Sequence, residues 1–262
     1  MKSKKSLKDV TFLVRVKIDS MDRLENLLMV IDFLTTHFET NIHVLEVGNY
    51  NNNIIRELLP EDISVSFIED FDPVYHQTRY LNVMAKNTKT LYLSVWDADV
   101  IVHPEQISQS VDLLRKDKFD FVSPYKGIAL DTTGIIKELY FKKRDIDILI
   151  ENKNKMALTR YPNLSVGGGI FAKTEAYIHA GMENEYFYGW GGEDEERILR
   201  WVILGYRFTR LEGILFHFTH KRGLNSRYYS DSREDNALLE VFRILSMSEN
   251  ELKNEIKSWN QQ

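Results

Sequence analysis

Apolar and polar positions change their spacing repeatedly along the first hundred residues. Leu24, Leu27, Ile31 and Leu34 recur every three or four residues, which predicts an amphipathic helix over about 22–37. Short apolar runs rich in β-branched and aromatic residues lie on either side of it, and such runs are typical of strands. The predicted order is a strand at 11–18, this helix, a strand at 42–47, a short helix ending before Pro60, a strand at 65–68, a helix at 75–86 and a strand at 91–96. Strands that alternate with helices pair in parallel, so we predict an α/β fold whose central, mostly parallel sheet is flanked by helices.

The pattern is less regular in the second half of the chain. We expect a helix from Pro104, a strand at 119–122, a helix at about 140–156, a strand after the glycines at 167–169, a helix from about Glu193 and a C-terminal helix at about 233–260. Residues 1–10 are expected to form a polar tail. Because no repeat or linker interrupts the chain, we expect one domain. It would comprise a nucleotide-binding half at about 11–124, an acceptor-binding and catalytic half at about 125–232, and the C-terminal helix.

Composition narrows the classes of function. The 262 residues carry a net charge of −5, which argues against a nucleic-acid-binding protein that relies on a broad basic surface. The chain contains no cysteine, so disulfides and thiolate metal sites are excluded. No apolar run is long enough to span a membrane, and the basic N-terminus is not followed by the apolar core of a signal peptide. We therefore expect a cytoplasmic protein, and peripheral attachment to the inner membrane through a partner stays open.

The first candidate for chemistry is an Asp-x-Asp pair. Asp97 and Asp99 come directly after the apolar strand at 91–96. Ligands bind open α/β sheets beyond the carboxyl ends of the strands, where these two carboxylates are expected to lie. Oxygen ligands suit Mg²⁺ or Mn²⁺ held against a phosphate. The alternative is an ordinary solvated turn, since aspartate is common there. Arg15, on the first strand, is equally compatible with a solvated face and with contact to a nucleotide.

A second segment combines glycines, aromatic residues and acids. Three glycines at 167–169 precede an apolar strand and either form a turn or let the backbone approach a ligand, and on the second view we assign Gly168 and Gly169 to the donor site. The run YFYGWGGEDEE follows at 186–196. Its acids would be favoured by the dipole at a helix N-terminus. Trp190 among glycines instead suggests a flat surface for a sugar ring, with carboxylates beside it that can accept a proton.

Two histidines complete the candidate residues. His217 and His220 lie three residues apart in LFHFTHKRG, so both could bind one metal ion. Lone histidines are more often surface or packed residues. The neighbouring Lys221 and Arg222 supply positive charge that would suit a diphosphate.

Together, WDAD, GGG-x-F, GWGGEDEE and H-x-x-H resemble the metal-dependent glycosyltransferases with the GT-A fold over about residues 11–225. The similarity is greatest to the β-1,4-galactosyltransferase C-terminal group, the polypeptide N-acetylgalactosaminyltransferases and the chondroitin-type polymerases. WGGED is the most specific piece. QTRYLN at 77–82 also resembles an element that precedes the Asp-x-Asp strand in these enzymes. The absence of cysteines and of a membrane anchor is typical of a short bacterial enzyme of polysaccharide synthesis.

The resemblance implies a role for each matching residue. Asp99 and His220 would bind Mn²⁺ or Mg²⁺, Asp97 would contact the ribose or the metal through water, and His217 stands where the galactosyltransferases have a methionine ligand. Glu193 would bind the acceptor sugar, Asp194 would be the catalytic base and Trp190 would form the acceptor platform. The residues implied near the uridine or diphosphate are Arg15, Glu46, Arg79 and Asn82.

The implied reaction is transfer of a hexose or N-acetylhexosamine from a UDP-sugar to a carbohydrate hydroxyl, on a lipid-linked sugar or a polysaccharide among other acceptors. The retaining polypeptide transferases have Asn at the position of Asp194, so aspartate here favours inversion. One alternative is a sugar- or nucleotide-binding protein of the same fold without turnover. The other is a sugar nucleotidyltransferase, which we rank lower because the segment KIDSMDRLENL after the first strand has no glycine.

Overall fold

A computed structural model describes residues 4–158, 165–226 and 230–259. The strands are β1 (Lys5–Val16), β2 (Phe38–Gly48), β3 (Ser64–Glu69), β4 (Tyr92–Trp96), β5 (Val100–Val102), β6 (Phe121–Ser123), β7 (Ile128–Thr132), β8 (Ala157–Leu158), β9 (Gly169–Lys173), β10 (Phe208–Arg210) and β11 (Ile214–Phe218). The α-helices are α1 (Met21–His37), α2 (Ile54–Leu58), α3 (Gln77–Lys86), α4 (Pro104–Arg115), α5 (Gly134–Lys143), α6 (Asp147–Glu151), α7 (Thr174–His179), α8 (Glu193–Ile203), α9 (Asp231–Leu245) and α10 (Glu249–Trp259). Short 3₁₀ turns occur at Lys153–Lys155 and Leu224–Ser226.

Seven strands form the main sheet, in the order β10-β6-β9-β4-β1-β2-β3. All neighbours pair in parallel except β9, which is antiparallel to both β4 and β6. A second sheet has the order β5-β11-β7-β8. The predicted α/β fold with a mostly parallel central sheet is therefore confirmed.

Three aromatic rings pack together in the core on one side of the main sheet's centre, from the neighbouring strands β1, β4 and β9. Phe12 of β1, Trp96 of β4 and Phe171 of β9 have ring centroids 5.6–5.7 Å apart, and all three are completely buried. The indole nitrogen of Trp96 donates a hydrogen bond to the carbonyl oxygen of Val100 at 3.1 Å. This contact fixes the turn between β4 and β5, and that turn carries the Asp-x-Asp pair.

The prediction of a polar tail at 1–10 is wrong for residues 5–10, which form the first half of β1. Leu7 and Val10 are completely buried, and the strand pairs with β2 on both sides of a register shift between Leu7 and Thr11. The charged residues around these two positions are mostly exposed and hide the apolar pattern in the sequence. Residues 1–3 lie outside the described part of the chain.

Two helix predictions have the wrong extent. The helix expected at 140–156 is replaced by α5, α6 and a 3₁₀ turn, because Arg144 takes a left-handed conformation (φ 59°) that ends α5. The helix expected at 233–260 is two helices. Ser248 and Glu251 exchange hydrogen bonds at the start of the second, where the Ser248 backbone N–H donates to the Glu251 carboxylate at 2.8 Å. Residue 260 lies outside the described residues.

None of the helices within the described residues is both long and apolar enough to cross a membrane.

Candidate active site

A cavity of about 280 Å³ lies beyond the carboxyl ends of β1 and β4. The Asp-x-Asp turn, the glycine segment before β9, the start of α8 and the end of β11 surround it. The residues predicted from the sequence that line this cavity are Arg15, Asp97, Asp99, Gly168, Trp190, Glu193, Asp194, His217 and His220. Segments more than a hundred residues apart in the chain therefore meet in one place.

Asp99, His217 and His220 form a cluster with the donor set of a metal site. Oδ2 of Asp99 lies 3.3 Å from Nε2 of His220 and 3.7 Å from Nε2 of His217. One potential ligand atom from each residue lies within 4.8 Å of the other two. The second sheet supplies this geometry, since His217 pairs with Val100 of β5 and the backbone N–H of Phe218 donates to the carbonyl oxygen of Asp99 at 2.7 Å.

Both imidazole rings have their Nδ1 atoms occupied. Nδ1 of His217 lies 2.7 Å from a carboxylate oxygen of Asp131, and Nδ1 of His220 lies 3.0 Å from the carbonyl oxygen of Lys221. Acceptors at these positions favour the tautomer with the proton on Nδ1, which leaves a lone pair on Nε2. Two imidazole lone pairs directed towards one carboxylate fit a divalent cation.

The three charges in this cluster depend on one another. Burial alone would raise the pKa of Asp99, but the two neighbouring histidines outweigh it and hold that pKa well below its ordinary value. Burial likewise lowers the pKa of His217, while Asp99 and Asp131 more than offset this and raise it to about 9. Asp99 and His217 therefore each favour the charged form of the other.

A continuous chain of hydrogen bonds connects Asp97 with Glu193. Arg15 donates from Nη1 to Asp97 at 2.8 Å and from Nη2 to the amide oxygen of Gln77 at 2.7 Å. The amide nitrogen of Gln77 then donates to Oε1 of Glu193 at 2.6 Å. Only 11% of the Arg15 side chain is exposed, so the solvated-face alternative for this residue is wrong. Its contact with a nucleotide stays a prediction.

Glu193 is the first residue of α8 and is buried at the edge of the cavity. Gly192 precedes it in a left-handed conformation, which starts the helix at this point. Oε2 of Glu193 is buried and has no hydrogen-bond partner among the described residues. Burial, together with the adjacent Asp194, raises the pKa of Glu193 to about 8. Glu193 also lines the cavity, so one of its carboxyl oxygens is buried there without a hydrogen-bond partner among the described residues.

Asp194 is held by a buried pair behind it. Arg197 donates one hydrogen bond to Oδ1 of Asp194 and two to the carboxylate of Glu183, at 2.8 and 2.9 Å. Tyr177 donates to the same Glu183 carboxylate. Burial raises the pKa of Asp194, while Arg197 acts in the opposite direction. Asp194 thus has one oxygen anchored by an arginine, and its carboxyl group lines the cavity.

The three consecutive glycines each meet a different neighbour. A β-carbon on Gly167 would overlap Oδ2 of Asp194. A β-carbon on Gly168 would lie 2.8 Å from a methyl group of Leu215, and one on Gly169 would lie 2.8 Å from the Trp96 ring. Gly168 lines the cavity, as expected of a donor-site residue, whereas Gly169 is buried in β9 and packs against Trp96 instead.

Three residues that the resemblance placed near the uridine or diphosphate do not line the cavity. Glu46 is buried within β2, and Arg79 is exposed on α3. Asn82 is buried, and it donates to the carbonyl oxygen of Glu183 at 2.9 Å and accepts from its backbone N–H at 2.8 Å. The assignment of these three residues to the donor site stays a prediction.

Sequence reasoning missed four residues that contact the predicted ones: Gln77, Tyr125, Asp131 and Arg197. Gln77 lies in the quoted QTRYLN segment, and Arg197 follows the GWGGEDEE run, so both were close to a recognised signal. Tyr125, whose hydroxyl group donates to the carbonyl oxygen of Gly167 at 2.7 Å, and Asp131 lie in a stretch without any motif.

Comparison with known proteins agrees with the fold and with part of the sequence. Residues 153–222 match a protein family described as the N-terminal domain of galactosyltransferase. No curated protein matches the chain. Among solved structures, the catalytic domain of Drosophila beta1,4-galactosyltransferase 7, in complex with xylobiose, is similar with a TM-score of 0.53 and 14% sequence identity. The match covers 88% of this chain and 79% of that one.

The chain therefore has the GT-A fold and resembles the galactosyltransferase group of glycosyltransferases. The matched segment contains Glu193, Asp194 and both histidines of the cavity. The two comparisons together support a glycosyltransferase.

Proposed function

We propose that this protein is a metal-dependent, inverting glycosyltransferase that moves a hexose or N-acetylhexosamine from a UDP-sugar to a hydroxyl group of a carbohydrate. One observation carries the proposal: a three-residue metal-ligand set and two adjacent acids at a helix N-terminus line the same cavity. A sugar transferase needs both, because one group must support the leaving diphosphate and another must accept the proton of the attacking hydroxyl.

The donor end of the cavity is the Asp-x-Asp end. Asp99, His217 and His220 would hold Mn²⁺ or Mg²⁺, and such an ion neutralises the charge that develops on a departing diphosphate. Arg23 and Arg222 also line the cavity and add positive charge for phosphate groups.

Asp194 is the proposed general base. Its Oδ1 accepts from Arg197, so the carboxyl group is fixed in orientation, and burial makes it a stronger base than an exposed aspartate. The acceptor hydroxyl gives its proton to Asp194 as its oxygen attacks the anomeric carbon from the face opposite the diphosphate. The configuration at that carbon is thereby inverted.

Glu193 and Trp190 are the proposed acceptor contacts. Glu193, whose Oε2 has no hydrogen-bond partner among the described residues, and Trp190 both line the cavity, where they would contact a bound sugar. The structurally similar Drosophila enzyme is a galactosyltransferase in complex with a xylose disaccharide, which supports a carbohydrate as the acceptor here. Holding both substrates in one orientation is expected to supply much of the rate enhancement.

Thermal-shift screening against UDP, GDP and CDP sugars, with and without Mn²⁺, tests the donor class, because a ligand that binds only the folded protein raises its melting temperature. We expect stabilisation by a UDP-sugar that requires Mn²⁺. Release of UDP is then measured for the wild type, Asp99→Asn, Asp194→Asn and, as a matched control, Asp62→Asn, an exposed aspartate that does not line the cavity.

We expect Asp99→Asn to lose Mn²⁺-dependent turnover and Asp194→Asn to keep donor binding while losing turnover. Asp62→Asn should behave as the wild type. Normal turnover in both cavity variants would refute the assigned roles. Donor binding without any UDP release in the wild type, whether to water or to a sugar, would instead identify a binding protein that lacks catalytic activity.

A further inference from the structure

Asp131 is the polar neighbour of the metal-ligand cluster that has no role in the proposed reaction. It lies on β7, which pairs in parallel with β11, and its register partner on β11 is His217. One oxygen of its carboxylate lies 2.7 Å from Nδ1 of His217. Only 15% of the His217 side chain and 24% of the Asp131 side chain are exposed. The contact is thus a partly buried, charge-assisted hydrogen bond set by strand register.

We propose that Asp131 is the positioning residue for the metal site, which orients His217 and strengthens its binding of the divalent cation. This inference rests on the metal site of the proposed function. A carboxylate that accepts from Nδ1–H fixes the tautomer with its lone pair on Nε2 and makes the ring a better ligand. In this structure Nε2 of His217 is the atom directed at Asp99.

The two histidines are held in different ways, and this difference makes the proposal specific. The Nδ1 atom of His220 meets the backbone carbonyl group of Lys221, which no side-chain substitution removes. The Nδ1 atom of His217 meets a side chain on another strand. Loss of Asp131 should therefore release only one of the two rings.

The ends of β7 and β11 are also joined beside the site, which keeps Asp131 in place. The hydroxyl group of Thr132 donates to the carbonyl oxygen of His217 at 2.9 Å, and that of Thr219 donates to the carbonyl oxygen of Thr132 at 2.7 Å. The segment that carries Asp131 and the segment that carries both histidines consequently form one unit. A substitution of Asp131 changes the partner of His217 while these two hydrogen bonds from threonine hydroxyl groups remain.

Binding of Mn²⁺ alone, without nucleotide, tests the proposal. The free Mn²⁺ signal in electron paramagnetic resonance is titrated against the wild type, Asp131→Ala, Asp131→Asn and the control Asp145→Asn, an exposed aspartate that does not line the cavity. We expect Asp131→Ala to weaken Mn²⁺ binding about 10- to 100-fold. The Mn²⁺ affinity of Asp131→Asn should lie between those of the wild type and Asp131→Ala, because asparagine still accepts from Nδ1–H but carries no charge. Asp145→Asn should bind as the wild type does.

Nitrogen couplings from pulsed electron paramagnetic resonance supply a readout that a merely structural residue would not change. The wild type should show two coordinated imidazoles and Asp131→Ala only one. Unchanged affinity and two imidazoles in a folded Asp131→Ala protein would overturn the proposal. If Asp131→Ala does not fold, the comparison of Asp131→Asn with the wild type tests the proposal. In the Zn²⁺-loaded wild type, long-range ¹H–¹⁵N spectra should show His217 protonated on Nδ1, and metal on Nδ1 would be the contrary result.

Failure of this inference differs from failure of the proposed function. If the wild type binds no Mn²⁺, either alone or with UDP, the metal site itself is refuted. If the wild type binds Mn²⁺ and substitution of Asp131 does not change that binding, the metal site stands and only the role of Asp131 is refuted.

Discussion

Gly167 lies directly against the carboxylate of Asp194, in space that any other residue would fill with its β-carbon. The backbone of the glycine segment is itself fixed, since Tyr125 donates to the carbonyl oxygen of Gly167 and the backbone N–H of Asp97 donates to that of Gly168 at 2.9 Å. The position of the proposed base thus depends on the absence of a side chain in a different segment of the chain.

Gly167→Ala should displace the Asp194 carboxylate and lower turnover by about 100-fold, since errors of about 1 Å in a reacting group can cost that much. The φ angle of Gly167 is not in the left-handed region, so the effect is steric and the backbone is not strained. Steady-state rates of UDP release measure it, with Mn²⁺ affinity unchanged. Gly48→Ala is the matched control, because its β-carbon would make only an ordinary contact, 3.7 Å from Phe67. Equal activity of the two variants would contradict the role of Gly167.

The sequence allowed prediction of those site residues whose side-chain type and spacing are recognisable within a short segment. Asp99, His217 and His220 could be proposed as ligands from residue type and spacing, and they do lie together in the structure. Asp131 could not, because its role follows from its register partner on β11, 86 residues away in the chain. A single sequence contains no signal for that pairing.

The fold was predictable where one face of an element is uniformly apolar. The helix expected at 22–37 is α1 (Met21–His37), whose buried leucines follow the predicted spacing and whose start is fixed by a hydrogen bond from the backbone N–H of Arg23 to Ser20. Prediction failed where a single residue decides the boundary. Arg144 in a left-handed conformation divides the helix expected at 140–156, and side-chain type alone does not indicate this.

Gln77 is the residue that connects the donor and acceptor ends of the cavity. An amide suits the position because its oxygen accepts from Arg15 while its nitrogen donates to Glu193. Gln77→Met should lower the free energy of unfolding by about 1–3 kcal/mol, because it leaves buried polar groups without partners. Urea denaturation measures this, and Gln109→Met, at an exposed position on α4, should change it by less than about 0.5 kcal/mol.

A double-mutant cycle with Glu193→Met, which removes the acceptor of the Gln77 amide, separates the pair from general packing. If the hydrogen bond carries the effect, the double variant should be less destabilised than the sum of the two single variants, with a coupling of at least about 0.5 kcal/mol. Strictly additive losses would show that Gln77 contributes only through packing.

The buried Arg197–Glu183 pair should be costly to break from one side. Arg197→Met leaves the Glu183 carboxylate, which is completely buried, without its cation, and this should cost about 3–5 kcal/mol. Glu183→Gln combined with Arg197→Met should recover part of that loss, because the buried charge of Glu183 is then removed; the loss at Asp194, which also accepts from Arg197, remains. Lys126→Met breaks an exposed pair with Glu212 and should cost less than about 1 kcal/mol. Chemical denaturation of the four proteins measures these differences, and similar losses for both single variants would refute the argument.

The raised pKa of Glu193 should make stability depend on pH. Its carboxyl group has a pKa of about 8 in the folded protein against an ordinary value of 4.5, so between these values the folded state holds a proton that the unfolded state has lost. The free energy of unfolding should therefore fall as the pH rises from about 5 to about 8, by up to about 1.4 kcal/mol per pH unit from this group.

Asp194 and His217, whose pKa values are also raised, contribute with the same sign, so the test compares variants and not absolute slopes. Glu193→Gln should give a flatter dependence and a smaller loss of stability between pH 5 and pH 8, measured by urea denaturation in metal-free buffer. Glu25→Gln, at an exposed position on α1, should keep the slope of the wild type, and an unchanged slope in Glu193→Gln would mean that Glu193 is ionised in the folded protein.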